Sequence, residues 1–157
     1  MSTSTIAPAA PRAHAVPVPA AVLAHRRAVA RWALSSGRAA HRDALAAIVA
    51  ARAHSSTGLG LPGTATVWTV EDIGTLLWVE LAEWCQDAEV ELPEQHHVAA
   101  TLDTYLRFLS AHRLLASGSD PVAALRRAIA DYGGGRSRSH PSMRSMRTAP
   151  VVPLARG

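Results

Sequence analysis

The stretch from Trp68 to Cys85, WTVEDIGTLLWVELAEWC, constrains this chain more than any other. It holds three of the four tryptophans and the only cysteine of 157 residues, in a sequence where Phe, Trp and Tyr together make up 4%. A core needs large apolar side chains, and much of the 48% hydrophobic content is alanine. Burial scales with apolar area, so the core is expected where this stretch packs.

Local chemistry marks the stretch as a helix. Thr69 suits an N-cap, because its hydroxyl accepts a bond from a free amide of the first turn. Asp72, three residues on, completes a capping box in outline, with a shorter reach than Glu or Gln. Trp68 then lies at N′ and Ile73 at N4, the two positions of a hydrophobic staple. At 100° per residue, Val70, Ile73, Gly74, Leu77, Trp78, Leu81, Trp84 and Cys85 fall on one arc, with Trp78 and Trp84 at its edges. That arrangement assigns the tryptophans to the core rather than to a ligand cage, and makes Cys85 a buried small residue rather than a reactive thiol. Glu71, Asp72, Thr75, Glu80, Glu83, Gln86 and Asp87 occupy the other side. Leu76 and Val79 are misfits among these acids, which makes them candidates for a contact surface.

Two further amphipathic helices follow. One opens near Pro93, a residue suited to a first helical turn. Its apolar side is Val98, Leu102, Tyr105, Leu106 and Leu109, extended by Phe108, and Asp103 and Arg107 are spaced for an i,i+4 ion pair opposite. The segment ASGSDP then breaks the chain. Asp120 is placed to cap and Pro121 to open the last helix, with Val122, Leu125, Ile129 and Tyr132 on one side and Gly133 as the stop. A core of three such helices is marginal alone. The fourth piece is the alanine-rich region 20–54, where Val22, Val29, Ala33, Ala40, Ala44, Ala47 and Ala51 share a narrow face. Arg27, Arg31, Arg38, Arg42 and Arg52 lie opposite, and Leu45 and Val49 interrupt their stripe. SSG at 35–37 is a point where this helix can break in two. The expected fold is a small all-α helical bundle.

Charge divides the chain in three. Residues 1–63 carry seven arginines and one acid (net +6), residues 64–132 four arginines and eleven acids (net −7), and residues 133–157 five arginines and no acid (net +5). The organisation expected is a disordered Pro/Ala-rich N-terminus (1–19), a basic helical arm (20–54), a linker (55–67), an acidic helical module (68–133) and a disordered Arg/Ser-rich tail (134–157). All 16 basic residues are arginine. Codon bias in a GC-rich genome accounts for that, so a pI near 10.5 is by itself weak support for nucleic acid.

Several functional classes are disfavoured. One cysteine allows no intrachain disulfide framework and no CxxC motif, so a reducing cytoplasm is the expected compartment. No apolar run approaches the roughly 18 residues of a membrane helix. The N-terminus has a transit-peptide composition, but its prolines oppose an amphipathic helix. There is no Walker loop, GxGxxG, GxSxG or HExxH, and the histidines show no zinc spacing. Glu94 and His97 form an ExxH without the second copy that a di-metal bundle requires. A helix-turn-helix reading of the segment around Arg126 and Arg127 suffers from a long connection and acidic surroundings.

The expectation is a non-enzymatic helical interaction or regulatory module, with no cofactor, metal, membrane or small-molecule substrate. Leu76, Val79, Glu80 and Glu83 would meet a basic protein partner, the chain's own arm or a second copy. The alternative is a small nucleic-acid-associated protein contacting phosphates through Arg27, Arg31, Arg38, Arg42, Arg136, Arg138, Arg144 and Arg147.

Overall fold

A computed structural model of the chain describes residues 18–55 and 65–133. Five helices form an all-α bundle. α1 spans Ala20–Ser35 and α2 spans Arg42–His54. α3 runs in three contiguous pieces: α-helical at Val70–Thr75, π-helical at Leu76–Glu80 and α-helical again at Leu81–Asp87. α4 covers Gln95–Ala111 and α5 covers Val122–Gly133. Among the described residues no helix is long and apolar enough to cross a membrane. The expected N-terminal segment up to residue 17, most of the linker and the Arg/Ser-rich tail lie outside the described residues.

α4 is the centre of the bundle, packed against α1, α2 and α5. Val98, Leu102, Tyr105, Leu106, Phe108 and Leu109 are buried, as its spacing predicts, and Thr101 and Thr104 are buried with them. Those two hydroxyls are satisfied by the α1–α2 corner. The His41 N–H donates to Thr101 Oγ1 at 2.9 Å, and Thr104 Oγ1 donates to the Ala39 carbonyl at 2.6 Å. A buried hydroxyl without a partner is costly, so the two bonds fix where the corner lands.

The break between α1 and α2 comes at SSG. Gly37 takes φ +62°, the left-handed region that glycine occupies without steric cost. One apolar cluster joins residues of all five helices, from Val22 to Ile129. Ala44, Leu45, Ala47, Ile48, Val49 and Ala51 are inside it, so the alanine-rich region supplies two integral helices. Leu45 and Val49 interrupt the arginine stripe because they belong to the core.

The start of α3 follows its local signals. Thr69 Oγ1 accepts from the Asp72 N–H at 3.1 Å, and Asp72 Oδ2 accepts from the Thr69 N–H at 2.8 Å. This capping box leaves Trp68 and Ile73 fully buried. The segment before α3 is also stitched to the α4–α5 connection. The Thr66 N–H donates to Leu114 O, Ala116 N–H to Thr66 O and Asp120 N–H to Trp68 O. Asp120, expected to cap α5, gives its carboxylate to α3: the Val70 N–H donates to its Oδ2 at 2.7 Å.

Candidate functional site

The π-helical piece decides which side chains α3 shows. The Leu81 N–H bonds to the Leu76 carbonyl, five residues back. Each such turn takes in about one residue more than an α-turn. Downstream side chains therefore rotate back relative to the 100° spacing. Ile73, Leu77, Leu81 and Cys85, which drift apart on a regular helix, stay on one buried face, and Leu76 joins them at 0% exposure. This corrects three expectations. Leu76 is core and not part of a contact surface. Trp78, expected at the edge of the core, is 67% exposed. Val70 is exposed as well, and Trp84 is half-buried. Cys85 is buried as expected, and burial pushes its thiol pKa up.

Of the other residues expected to meet a partner, Val79 and Glu83 are exposed. Glu80 is half-buried, and Ser55 Oγ donates to its Oε1 at 2.7 Å. Beside its exposed acids, α3 presents outward a short apolar strip, Val70, Trp78 and Val79, with Val67 just before the helix. An added Cβ at Gly74 would meet only open space, so among the described residues nothing covers the strip midway. Trp78 stands edge-on to Tyr132 of α5, with ring centroids 4.9 Å apart. The sequence carried a signal for this exposure only in retrospect, since a π-turn has no residue signature that periodicity can read.

The arginines divide as well. Arg27, Arg31, Arg38 and Arg42 are exposed, and among the described residues none of them forms an ion pair; Arg38 lies 5.7 Å from the Trp32 ring centroid. Arg52 leaves the stripe. Its guanidinium sits 4.6 Å over the Trp68 ring, 3.4 Å from Asp72 Oδ1 and 3.3 Å from the Val67 carbonyl. Arg136, Arg138, Arg144 and Arg147 lie outside the described residues. On the acidic side, Asp103 holds Arg107 at 2.8 Å, the expected i,i+4 pair, and also Arg126 at 2.5 Å from α5. Burial raises the Asp103 pKa, but the bonds from Arg126 and Arg107 outweigh it and hold the carboxyl below its usual value. Arg126 is thereby engaged within the fold.

Two further groupings come together, the first around the Glu94–His97 ExxH. Glu94, His96 and His97 bring one donor atom each within 4.8 Å of one another. His96 Nδ1 is 3.2 Å from Glu94 Oε2, and the His97 ring stacks on His41 at 4.1 Å. These donors occupy the first turn of α4, where the helix dipole is positive and opposes a bound cation. The other grouping is an open cleft of about 270 Å³ between α2, the end of α3 and the α3–α4 loop, lined by Asp43, Ala46, Ala47, Trp84, Val90, Glu91 and Pro93.

Comparison with known proteins gives no match to a family model, a curated protein or a solved structure.

Proposed function

We propose that the chain is a non-enzymatic helical interaction module whose acidic central part receives a basic partner through the outer side of α3. The observation that carries this reading is Trp78. An aromatic-poor sequence leaves one of its four tryptophans 67% exposed, with Val79 and Val70 also exposed and within a region of net charge −7. Tryptophan with an apolar surround is a common anchor of protein interfaces, and charge complementarity steers the encounter. Tyr132 supports the ring from α5 and so limits the ordering cost of binding. Because α1 and α2 already pack in the core, the partner is sought outside the chain, a second copy first. Cytoplasmic placement remains part of this proposal.

Sedimentation velocity over a range of concentration and salt tests the reading. A mass above one chain at low salt, falling with salt and with Trp78→Asp and Val79→Asp together, is the expected result. One-chain mass under all conditions removes self-association, and an assembly indifferent to both substitutions removes this surface.

A second reading has its own support in the exposed Arg27, Arg31, Arg38 and Arg42. Exposed arginines of this kind suit phosphates, with affinity that falls steeply as salt rises. Fluorescence anisotropy of labelled DNA over a salt series decides it: no binding even at low salt rejects nucleic acid.

A further inference from the structure

We propose that the cleft between α2 and the α3–α4 loop is a binding site for an alkylguanidinium cation. Its contents match the parts of such a ligand. Trp84 lines it, and an indole is the side chain best suited to meet a flat cation. Ala46, Ala47, Val90 and Pro93 give an apolar lining for a methylene stem. Asp43 and Glu91 bring two carboxylates to the same cleft from segments far apart in sequence. Both are exposed, and among the described residues neither forms an ion pair. The first-turn position of Asp43 on α2 suits its charge to the helix dipole, but Glu91 belongs to no helix, so that explanation leaves it out.

The wall carrying Glu91 begins at the left-handed turn that closes α3. Glu89 takes φ +53°, a left-handed conformation costly for a non-glycine residue, and the Val90 N–H is tied to the Cys85 carbonyl at 3.0 Å. A guanidinium fits better than an ammonium because it is planar, weakly hydrated and able to fork its N–H groups to carboxylates while stacking on an indole. The ligand class follows from the cleft's own groups. The proposal therefore stands apart from the Trp78 surface, which can fail its sedimentation test while the cleft passes this one, and the reverse.

The test is NMR of the folded full chain, following the Trp84 indole N–H, assigned by its loss in Trp84→Phe. The probes are agmatine, the peptide GRSRS, which is residues 135–139 of this chain, and the uncharged planar analogue butylurea. Agmatine is expected to move the Trp84 signal in a saturable way at millimolar concentration or below, and butylurea to leave it in place. Asp43→Asn with Glu91→Gln should weaken agmatine about tenfold or more, an effect that added salt should mimic. Both carboxylates are exposed, so the pair of substitutions is not expected to unfold the chain, and the butylurea comparison needs no variant at all. If the peptide also binds, the source of the guanidinium is an arginine on a polypeptide; if only agmatine binds, it is a small free guanidine. An unmoved Trp84 signal with agmatine, an equal response to butylurea, or unchanged affinity in the double variant overturns the proposal.

Discussion

The imidazole of His25 meets the hydroxyl of Tyr105 at 2.9 Å in the interior, across 80 residues of sequence. The two rings are also in edge contact, and the His25 ring packs edge-on against Phe108. Burial disfavours a charged imidazole here and lowers the His25 pKa from its ordinary 6.5. In the unfolded chain the same group titrates near that ordinary value. Between the two pKa values the unfolded state binds more protons, so stability rises with pH there. The His25 contribution is therefore complete above about pH 6.5 and declines as pH falls from there toward the folded-state value. Thermal melts between neutrality and about pH 5 should show the midpoint falling with pH in the wild type. A variant with His25→Leu and Tyr105→Phe should lose that part of the slope, and equal slopes would refute the assignment.

Leu76 and Trp78 should respond to truncation in the opposite order to their sizes. Leu76 is fully buried, so Leu76→Ala should cost about 2–5 kcal/mol. Trp78 is mostly exposed and, among the rings of the described residues, rests on Tyr132 alone, so Trp78→Ala should cost about 1 kcal/mol. Urea denaturation midpoints of the two variants check this. A larger loss for Trp78 would mean that α3 does not turn at Leu76–Glu80 as described.

The capping box gives a local prediction. Thr69→Ala removes the acceptor for the Asp72 N–H and should destabilise by about 1 kcal/mol. Thr69→Ser, which keeps the oxygen, should recover most of it in the same denaturation assay.

Three helices end with the same pair of bonds. Gly37 and Arg38 bond back to Leu34 and Ala33, Glu89 and Val90 to Gln86 and Cys85, and Arg113 and Leu114 to Ser110 and Leu109. The residue at the left-handed position is glycine in the first and a bulky residue in the other two, with φ +53° at Glu89 and +56° at Arg113. Glu89→Gly and Arg113→Gly should each stabilise by about 1 kcal/mol, because the backbone strain removed exceeds the added freedom of the unfolded chain. A loss of stability at either position would show that its side chain makes a compensating contact.

What could be read from the sequence was what depends on neighbours along it. The Thr69–Asp72 cap, the Asp103–Arg107 pair, the buried side of α4 and the break at Gly37 are all set within about one helical turn, where spacing is fixed by helix geometry. What escaped depends on departures from that geometry or on tertiary contact. The Leu76–Trp78 exchange follows from five residues of π-helix, which a constant 100° step cannot register. Arg52 left its stripe because Trp68 and Asp72 lie beneath it, and Asp120 turned from its own helix to the amide of Val70. The cleft was invisible for the plainest reason. Asp43, Trp84 and Glu91 come together only once α2 lies against the end of α3.

The stitching of residues 66–70 to 114–120 has a consequence for how the molecule tolerates being cut. Ser55, at the end of α2, is held by Glu80, and Thr66 is held by Leu114 and Ala116, so both sides of the intervening chain are moored to other parts of the bundle. The backbone between them need not be continuous for the halves to recognise each other. Fragments 1–60 and 61–157, expressed together, should reassemble into one helical body, with α1 and α2 closing on α4 as they do in the intact protein. Failure of the two fragments to co-purify would mean that the connection itself, rather than the packing on either side of it, holds the bundle together.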